Sequence, residues 1–206
     1  DRRLTRANAD NIVSILSKNT QQTTSSCPEV PFEKPKSWSR VVPPCGMDYV
    51  HLVNTSGRYD DIYYDVARER LVYPIYDTLG LLRDGVGRTM IGERPKWYRY
   101  GNYAGGFRIG TSDIAIVVED VPSAVSISDW VSGYALLGTS LRDRHIQELS
   151  AYRRVIFALD KDATDKALTM MRALHNIVPT GMLILDKDLK TLGDEERERT
   201  IRTAIA

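Results

Sequence analysis

Acidic residues directly follow two apolar runs of this chain, and they are the residues best suited to do chemistry. Glu119 ends the apolar run at 114–118. Asp160 and Asp162 follow a second such run, at 155–159. Parallel strands end on a shared edge of their sheet, so these carboxylates can converge there. Because clustered carboxylates repel one another unless a cation lies between them, and because Mg²⁺ and Mn²⁺ prefer hard oxygen ligands, we first predict divalent-metal chemistry on phosphates.

Strand and helix patterns alternate from residue 113 to the end of the chain. The predicted strands lie at 113–118, 134–137, 154–159 and 181–185, and the predicted helices at 122–132, 141–149, 163–174 and from 194 onward. The strands are almost continuously apolar, as expected where both faces of a sheet are covered. This alternation predicts an α/β fold, with a Rossmann-like parallel sheet and helices on both of its faces.

A different pattern precedes the alternating region. A short predicted helix at 47–53 is followed by β-rich runs, punctuated by glycines, at 61–64, 70–76, 79–83, 88–91 and 96–100. The stretch at 19–44 is rich in Ser, Thr, Gln and Pro, which is typical of a linker or an extended arm. We therefore predict an N-terminal helix and linker at 1–45, a small basic α+β subdomain at 46–110 and the parallel-sheet domain at 111–206.

Composition excludes several classes of protein. With 206 residues and 42% hydrophobic content, the chain can form a folded core. Its net charge is only +1, so any binding of nucleic acid must depend on a local basic face. Cys27 and Cys45 are too few and too widely spaced for a zinc site of the C-x-x-C type. No apolar stretch is long enough to span a membrane, and we expect a cytoplasmic protein. Because the chain begins at Asp1 and not at Met, we expect it to be part of a longer one.

Short motifs follow one another in a specific order along residues 46–193. In the alternating region they are VEDVPSA at 118–124, LGTSL at 137–141, HIQEL at 145–149 and ALDKDA at 158–163. Upstream they are RLVYPIYD at 70–77, GVGR at 85–88 and PKWY at 95–98. Together they resemble the TOPRIM catalytic core of bacterial- and phage-type DNA primases and the basic subdomain that precedes it. Each motif is weak by itself, and the specificity lies in their joint order and spacing.

The resemblance implies where metals bind. In that family the glutamate and the D-x-D aspartates hold catalytic metals, which implies this role for Glu119, Asp160 and Asp162, with Mg²⁺ or Mn²⁺ as the cofactor. A further family acid follows the last strand, where Asp188 matches best and Asp186 is its neighbour. The alternative for any one of these acids is an N-cap at the start of a surface helix, which is common for Asp after a strand.

Two positions depart from the family pattern. The family often has an acid four residues after the glutamate, where this chain has Ser123, and another two residues after the Asp188 position, where it has Lys190. Losing two carboxylates lowers the negative charge of the site and leaves the number of bound metals open. A weakened or inactive site is also consistent with these departures.

A basic and aromatic stretch complements the acidic edge. Its residues are Arg83, Arg88, Arg94, Lys96, Arg99 and Arg108, interleaved with Trp97, Tyr98, Tyr100 and Tyr103. This composition is typical of a groove that binds phosphates and stacks single-stranded bases, although a solvated β-hairpin is the alternative. The resemblance implies that Arg88 and Lys96 contact template or nucleotide, and Arg94, Arg99 and Trp97 are further candidates. His145 precedes an apolar helix face and is interpreted as a packing or capping residue.

The resemblance implies the catalytic core of a replicative primase, which joins ribonucleoside triphosphates on a single-stranded DNA template in the presence of Mg²⁺ or Mn²⁺. Its implied partners are a replicative helicase, or a zinc-binding module on another chain or region, and no membrane is involved. If the chain comes from a phage, its location is the host cytoplasm. The alternatives are a TOPRIM nuclease, since bound metals can also activate water, and a non-catalytic module that binds or loads single-stranded DNA.

Overall fold

The computed structural model describes residues 31–138, 140–159 and 164–206. The predicted N-terminal helix, the first part of the predicted linker (19–30), and Asp160 and Asp162 lie outside these residues. Phe32–Ala206 form one compact unit, which contains two five-stranded sheets. No helix in the described part of the chain is long and apolar enough to cross a bilayer.

The first sheet is antiparallel throughout. Its strands, in spatial and chain order, are β1 (Trp38–Ser39), β2 (Tyr63–Asp65), β3 (Arg70–Tyr76), β4 (Leu82–Thr89) and β5 (Trp97–Arg99), with helix α1 (Pro44–Leu52) between β1 and β2. Successive side chains of β3 point to opposite faces, as strand geometry requires. Val72 packs with Trp38 on one face, whereas Leu71 and Tyr73 belong to the main hydrophobic core on the other.

The predicted strands at 79–83 and 88–91 are wrong, because the chain forms the single strand β4 there. Glycines at 85 and 87 suggested a break, but both lie inside the strand. A Cβ atom on Gly85 would lie 2.3 Å from the Trp38 ring, so the glycine provides room for a cross-sheet contact and does not end the strand. Strand β1, which supplies Trp38, is not predicted from the sequence either.

The second sheet has the predicted parallel core. Its strands are β6 (Phe107–Ile109), β7 (Ile114–Val118), β8 (Ser132–Ala135), β9 (Arg154–Phe157) and β10 (Thr180–Met182). The spatial order is β10-β9-β7-β8-β6, in which the first four strands are parallel and β6 pairs with β8 in the antiparallel direction. The predicted fold class, a parallel α/β sheet preceded by a small α+β unit, is confirmed. The antiparallel edge strand β6 is not predicted.

Helices cover both faces of the second sheet. They are α2 (Val121–Ser126), α3 (Asp143–Leu149), α4 (Thr164–Leu174) and α5 (Asp194–Ile205), with a 3₁₀ turn at Leu189–Thr191. Ile116 of β7 faces a core shared with α2, α5 and the first sheet. Val117 faces the opposite core, which contains residues of α3 and α4. Burial on both sides explains why the strands are almost entirely apolar.

Two predicted element boundaries need correction. Helix α2 ends at Ser126 rather than near 132, because the backbone N–H groups of Trp130 and Val131 both donate to the Ile127 carbonyl in a turn that reverses the chain. Strand β8 therefore begins at Ser132, two residues before its predicted start. Strand β10 covers Thr180–Met182 and not 181–185, because β9, with which it pairs among the described residues, ends at Phe157.

Candidate active site

Strand β7 delivers two acids to the carboxyl edge of the second sheet. Glu119 follows the strand directly, and its carbonyl oxygen accepts a hydrogen bond of 3.1 Å from the Leu137 N–H. Asp120 is the N-cap of α2, and its Oδ1 accepts a hydrogen bond of 3.0 Å from the Ser123 N–H. An N-cap carboxylate satisfies one of the unpaired N–H groups at the start of a helix. At the end of β7 the N-cap is therefore Asp120 and not Glu119.

A cleft of about 400 Å³ lies at this edge, between residues of the two sheets. Its charged and aromatic lining residues are Glu119, Asp120, Asp188 and Lys190 from the parallel-sheet side and Lys96, Trp97 and Arg99 from the first sheet. The cleft thus brings predicted metal ligands and predicted template contacts together. Opposite charges on facing walls suit a substrate that carries phosphates and is bound together with a cation.

Two of the predicted metal ligands, Asp160 and Asp162, lie outside the described residues. Ala158, which precedes them on the same segment, lines the cleft. Within 31–138, 140–159 and 164–206, no group of three or more His, Cys, Asp or Glu side chains is arranged to hold a metal ion. In the described part of the site, Glu119 and Asp188 are the predicted oxygen ligands.

Asp188 and Asp186 differ in their position relative to the cleft. Asp188 lines it, whereas Asp186 is exposed and is not one of the lining residues. Asp188 precedes the 3₁₀ turn Leu189–Thr191, and its carbonyl oxygen accepts hydrogen bonds from the Thr191 N–H at 2.9 Å and from Thr191 Oγ1 at 2.7 Å. These contacts fix the backbone where the Asp188 side chain leaves it.

Lys190 contacts the acidic residues of the cleft. Its Nζ lies 2.8 Å from Asp188 Oδ2 and 2.9 Å from Asp120 Oδ2. It also lies 3.3 Å from Ser123 Oγ. Burial by itself lowers the pKa of the Lys190 ammonium, but Asp120 and Asp188 outweigh that effect, and the pKa is raised above its ordinary value. The two positions that depart from the family pattern, Ser123 and Lys190, are therefore in contact.

Arg99, a predicted nucleic-acid contact, forms an ion pair and a hydrogen bond within the protein. Its Nη2 lies 2.5 Å from Oδ2 of the fully buried Asp84 and donates a hydrogen bond of 2.7 Å to the Tyr103 carbonyl. Asp84 also accepts hydrogen bonds from the backbone N–H groups of Gly85 and Gly101, each at 2.6 Å. Arg99 therefore compensates a buried carboxylate, although it also lines the cleft. Lys96, in contrast, is exposed.

Arg88 and Arg94 line a second, larger groove of about 1350 Å³. The Arg88 guanidinium lies 5.2 Å from the centroid of the Tyr49 ring and 5.5 Å from that of Trp97, at cation–π distance. Lys96 lines both this groove and the cleft, so the two are adjacent. The contribution of Tyr49, from helix α1, is not predicted, because the sequence places it far from the basic stretch.

His145 is a buried residue that caps the start of α3, as predicted. It is buried, and its Nδ1 accepts a hydrogen bond of 3.2 Å from the Arg142 N–H at the start of α3. Burial lowers the pKa of His145, and the nearby carboxylate of Glu148 only partly opposes that effect. Glu148 itself accepts hydrogen bonds from the hydroxyl groups of Tyr103, at 2.5 Å, and Tyr134, at 2.7 Å. This buried network supports the segment that contacts Arg99.

Comparison with curated proteins finds a sequence similarity to DNA primases. No protein-family model matches the chain. A DNA primase of Neisseria meningitidis serogroup A is 26% identical over 144 residues, which are 62% of this chain and 24% of the length of that protein. The chain thus spans about a quarter of the length of this curated relative.

Solved structures extend the likeness to three dimensions. A DnaG primase catalytic domain bound to single-stranded DNA is 24% identical, with a TM-score of 0.55, over 79% of this chain and 60% of that one. The Aquifex aeolicus primase, solved with its zinc-binding and RNA polymerase domains, is 21% identical, with a TM-score of 0.57, over 77% of this chain and 46% of that one. The described residues share the fold of these primase catalytic cores.

Proposed function

We propose that this chain is the catalytic core of a DNA primase, which joins ribonucleoside triphosphates on a single-stranded DNA template. The observation that carries the proposal is the cleft in which Glu119 and Asp188 face Lys96 and Trp97. The neisserial relative is a DNA primase, and a structural neighbour is a primase catalytic domain bound to single-stranded DNA. Both support the same substrate class for this chain.

The donor set of the cleft fits a divalent ion. Its carboxylate oxygens are hard ligands, and the ammonium of Lys190 between Asp120 and Asp188 indicates that this edge favours a cation. We assign Mg²⁺ or Mn²⁺ to Glu119, Asp160 and Asp162, and the role of Asp188 depends on its ammonium partner. When bound, such an ion neutralises the triphosphate and lowers the pKa of the attacking 3′-hydroxyl.

The basic wall of the cleft positions the substrates. Lys96, which is exposed and shared by the cleft and the adjacent groove, binds phosphate oxygens of the nucleotide or of the template. Trp97 offers an aromatic face on which a base can stack. Arg88 and Arg94 extend the positive charge along the second groove and bind the template backbone there. Holding both reactants in place accounts for a large share of catalysis in a reaction of this type.

The proposed core needs other modules for its biological role. The Aquifex primase structure combines an RNA polymerase domain with a zinc-binding domain, and this chain corresponds to 46% of that length. We therefore assign template selection to a zinc-binding module on another chain or region, and we propose a replicative helicase as a partner. The proposed location is the cytoplasm, or the host cytoplasm for a phage protein.

Lys190 also supports a second candidate function. Because its ammonium already neutralises acids of the edge, the chain could have lost catalysis and kept the binding of single-stranded DNA through its basic wall. This candidate predicts tight template binding by Lys96 and the second groove, with no product. The two functions are separated by a single assay of synthesis.

The test is incubation of the protein with single-stranded DNA, labelled ribonucleotides and either Mn²⁺ or Mg²⁺. We expect new labelled oligoribonucleotides, and we expect none from the Glu119→Gln variant. Shortened template would instead identify a nuclease, since the same ion can activate water. Template binding without either product would identify the binding module. Either of these results would overturn the primase proposal.

A further inference from the structure

The ammonium of Lys190 is held by three acceptors. An ammonium group has three N–H donors, and the acceptors are Asp120 Oδ2 at 2.9 Å, Asp188 Oδ2 at 2.8 Å and Ser123 Oγ at 3.3 Å. Every donor therefore has a partner in the cleft wall. Only 17% of the Lys190 side chain is exposed, so its charge is poorly screened by solvent.

The acceptors come from two segments that are distant in sequence. Asp120 and Ser123 belong to the start of α2, and Asp188 immediately precedes the 3₁₀ turn that carries Lys190. The ammonium therefore bridges the end of strand β7 to the segment after β10. Two carboxylates at these positions would repel one another without a cation between them. In many proteins a Mg²⁺ ion serves this purpose with one or two carboxylates and several waters.

Ser123 allows the lysine to enter this position. Its side chain is short and nearly buried, and its hydroxyl accepts the third hydrogen bond of the ammonium. Its backbone N–H is already used by the cap Asp120. The Ser123 hydroxyl is neutral, so the negative charge of this pocket comes from two carboxylates. The single ammonium of Lys190 neutralises one of them. The chain thus provides both the cation and a matching site for it.

We infer that Lys190 is a built-in cation of the candidate active site. Its ammonium takes the position between Asp120 and Asp188 that a divalent ion would otherwise take, and divalent metal binding is restricted to the Glu119 side of the cleft. The inference rests on the proposed function only in placing a divalent ion beside Glu119. In this inference Asp188 pairs with the Lys190 ammonium and not with a divalent ion. The inference also explains why a lysine lies among the acids of this edge.

The experiment is a titration of the protein with Mn²⁺, without nucleotide or template, in which free Mn²⁺ is measured by electron paramagnetic resonance. We expect Lys190→Met to bind one more Mn²⁺ ion per chain than the wild type, or to bind Mn²⁺ about tenfold more tightly, because a positive charge beside the carboxylates is removed. The matched control is Lys187→Met, which removes an exposed lysine of the same segment and should bind Mn²⁺ as the wild type does.

A second site change identifies the ligands. In the double variant Lys190→Met/Asp188→Asn, the gain in Mn²⁺ binding should be lost, since one of the two carboxylates has become neutral. Unchanged Mn²⁺ affinity and stoichiometry in folded Lys190→Met would overturn the inference. A gain of equal size in Lys187→Met would also overturn it, because the effect would then be one of overall charge.

Folding of the variants provides an independent readout. Lys190→Gln keeps hydrogen-bonding ability and removes the charge, so it serves if Lys190→Met does not fold. Both variants should melt at a lower temperature than the wild type in EDTA, and Mn²⁺ should restore more of the melting temperature in them than in the wild type. Variants that stay unfolded in Mn²⁺ would show that a divalent ion cannot replace the ammonium, and would overturn the inference.

The outcomes separate this inference from the proposed function. If the wild type makes no primers and Lys190→Met still gains Mn²⁺ binding, the primase proposal fails and the role of Lys190 stands. If the wild type makes primers and Lys190→Met binds Mn²⁺ as the wild type does, the primase proposal stands and the inference about Lys190 fails. Mn²⁺ binding and primer synthesis are measured in separate assays, so neither result depends on the other.

Discussion

Arg197 Nε donates a hydrogen bond of 2.9 Å to the carbonyl oxygen of Leu189. The Arg197 side chain is completely buried, and its guanidinium also donates to the carbonyl oxygens of Ser126, at 3.3 Å, and of Leu192. A residue of α5 therefore ties the end of α2 to the 3₁₀ turn that carries Lys190. Arg197 does not line the cleft, but its hydrogen bond to Leu189 holds the first residue of the turn that follows Asp188.

The first prediction concerns this buried guanidinium. Arg197→Met should lower the free energy of unfolding by about 3 kcal/mol or more, because three buried carbonyl groups lose their donor. Urea denaturation followed by circular dichroism measures the change. Arg199→Met, an exposed arginine of the same helix, is the matched control and should shift the free energy by less than about 0.5 kcal/mol. Equal stability of the two variants would show that the three carbonyl oxygens find other donors.

The second prediction separates two basic residues of the cleft. Lys96→Met should weaken binding of single-stranded DNA and lower the salt dependence of log K by about one, because one phosphate contact and its released counterion are lost. Its folding stability should not change, since Lys96 is exposed. Fluorescence anisotropy at several salt concentrations measures both quantities. If the salt slope is the same in variant and wild type, Lys96 makes no phosphate contact.

The third prediction is that Arg99, unlike Lys96, contributes to folding stability. Arg99→Met should lower the free energy of unfolding by about 3 kcal/mol, because it leaves the fully buried Asp84 carboxylate without its charged partner. Thermal denaturation in metal-free buffer measures the effect. The double variant Arg99→Met/Asp84→Asn should recover part of the stability. A stable Arg99→Met protein with much weaker DNA binding would instead identify Arg99 as a direct template contact.

Periodicity was sufficient to predict the parallel sheet and the position of Glu119. The run at 114–118 is buried on both faces, and an acid at its end must lie at the carboxyl edge of the sheet. The boundaries of α2 and β10 depend on a turn at Ile127 and on the length of a partner strand. Neither can be read from local pattern, because both are decided by contacts between segments.

Non-local contacts also explain what the sequence does not predict in the site. Gly85 has no side chain because the ring of Trp38, far upstream, occupies the space where a Cβ atom would lie. Lys190 reaches Asp120 across 70 positions of sequence, so the lysine could be noticed as a departure but not as the partner of these acids. Arg88, Lys96 and Trp97 were predicted from composition and family likeness together. Trp97 lines the cleft, Arg88 lines the second groove and Lys96 lines both. The pairing of β4 with β5, which places Arg88 opposite Trp97, brings these residues together.

The fourth prediction concerns the acid at the end of β7. Glu119→Gln should abolish primer synthesis and leave stability in EDTA unchanged or slightly higher, because it removes one of several like charges from the edge. Primer synthesis and the melting temperature in EDTA are the two measurements. Glu195→Gln, an exposed acid of α5, should retain both. If Glu119→Gln loses stability in EDTA and keeps activity after refolding, the residue supports the fold and does not bind metal.

The last prediction is a pH dependence that arises from His145. Burial lowers the pKa of His145 below its ordinary value of about 6.5, against the opposing effect of Glu148 and of the Gly105 backbone, while Arg142 and Arg99 add to the lowering. The unfolded state therefore binds a proton more readily than the folded state. Stability is unaffected by this group above about pH 6.5, and it falls as the pH decreases from there towards the lowered pKa.

The pH dependence can be measured by urea denaturation between about pH 7.5 and 5.5, above the range in which ordinary carboxylates titrate. Wild type should lose up to about 1.4 kcal/mol per pH unit below pH 6.5 from this residue. His145→Gln should be less stable at pH 7.5, because the hydrogen bond from the Arg142 N–H and the contact with the Tyr134 ring change, but its stability should vary less with pH. His175→Gln, which alters an exposed histidine, should keep the wild-type slope. A His145→Gln protein with the full wild-type slope would assign the pH dependence to another group and would show that His145 is protonated equally in both states.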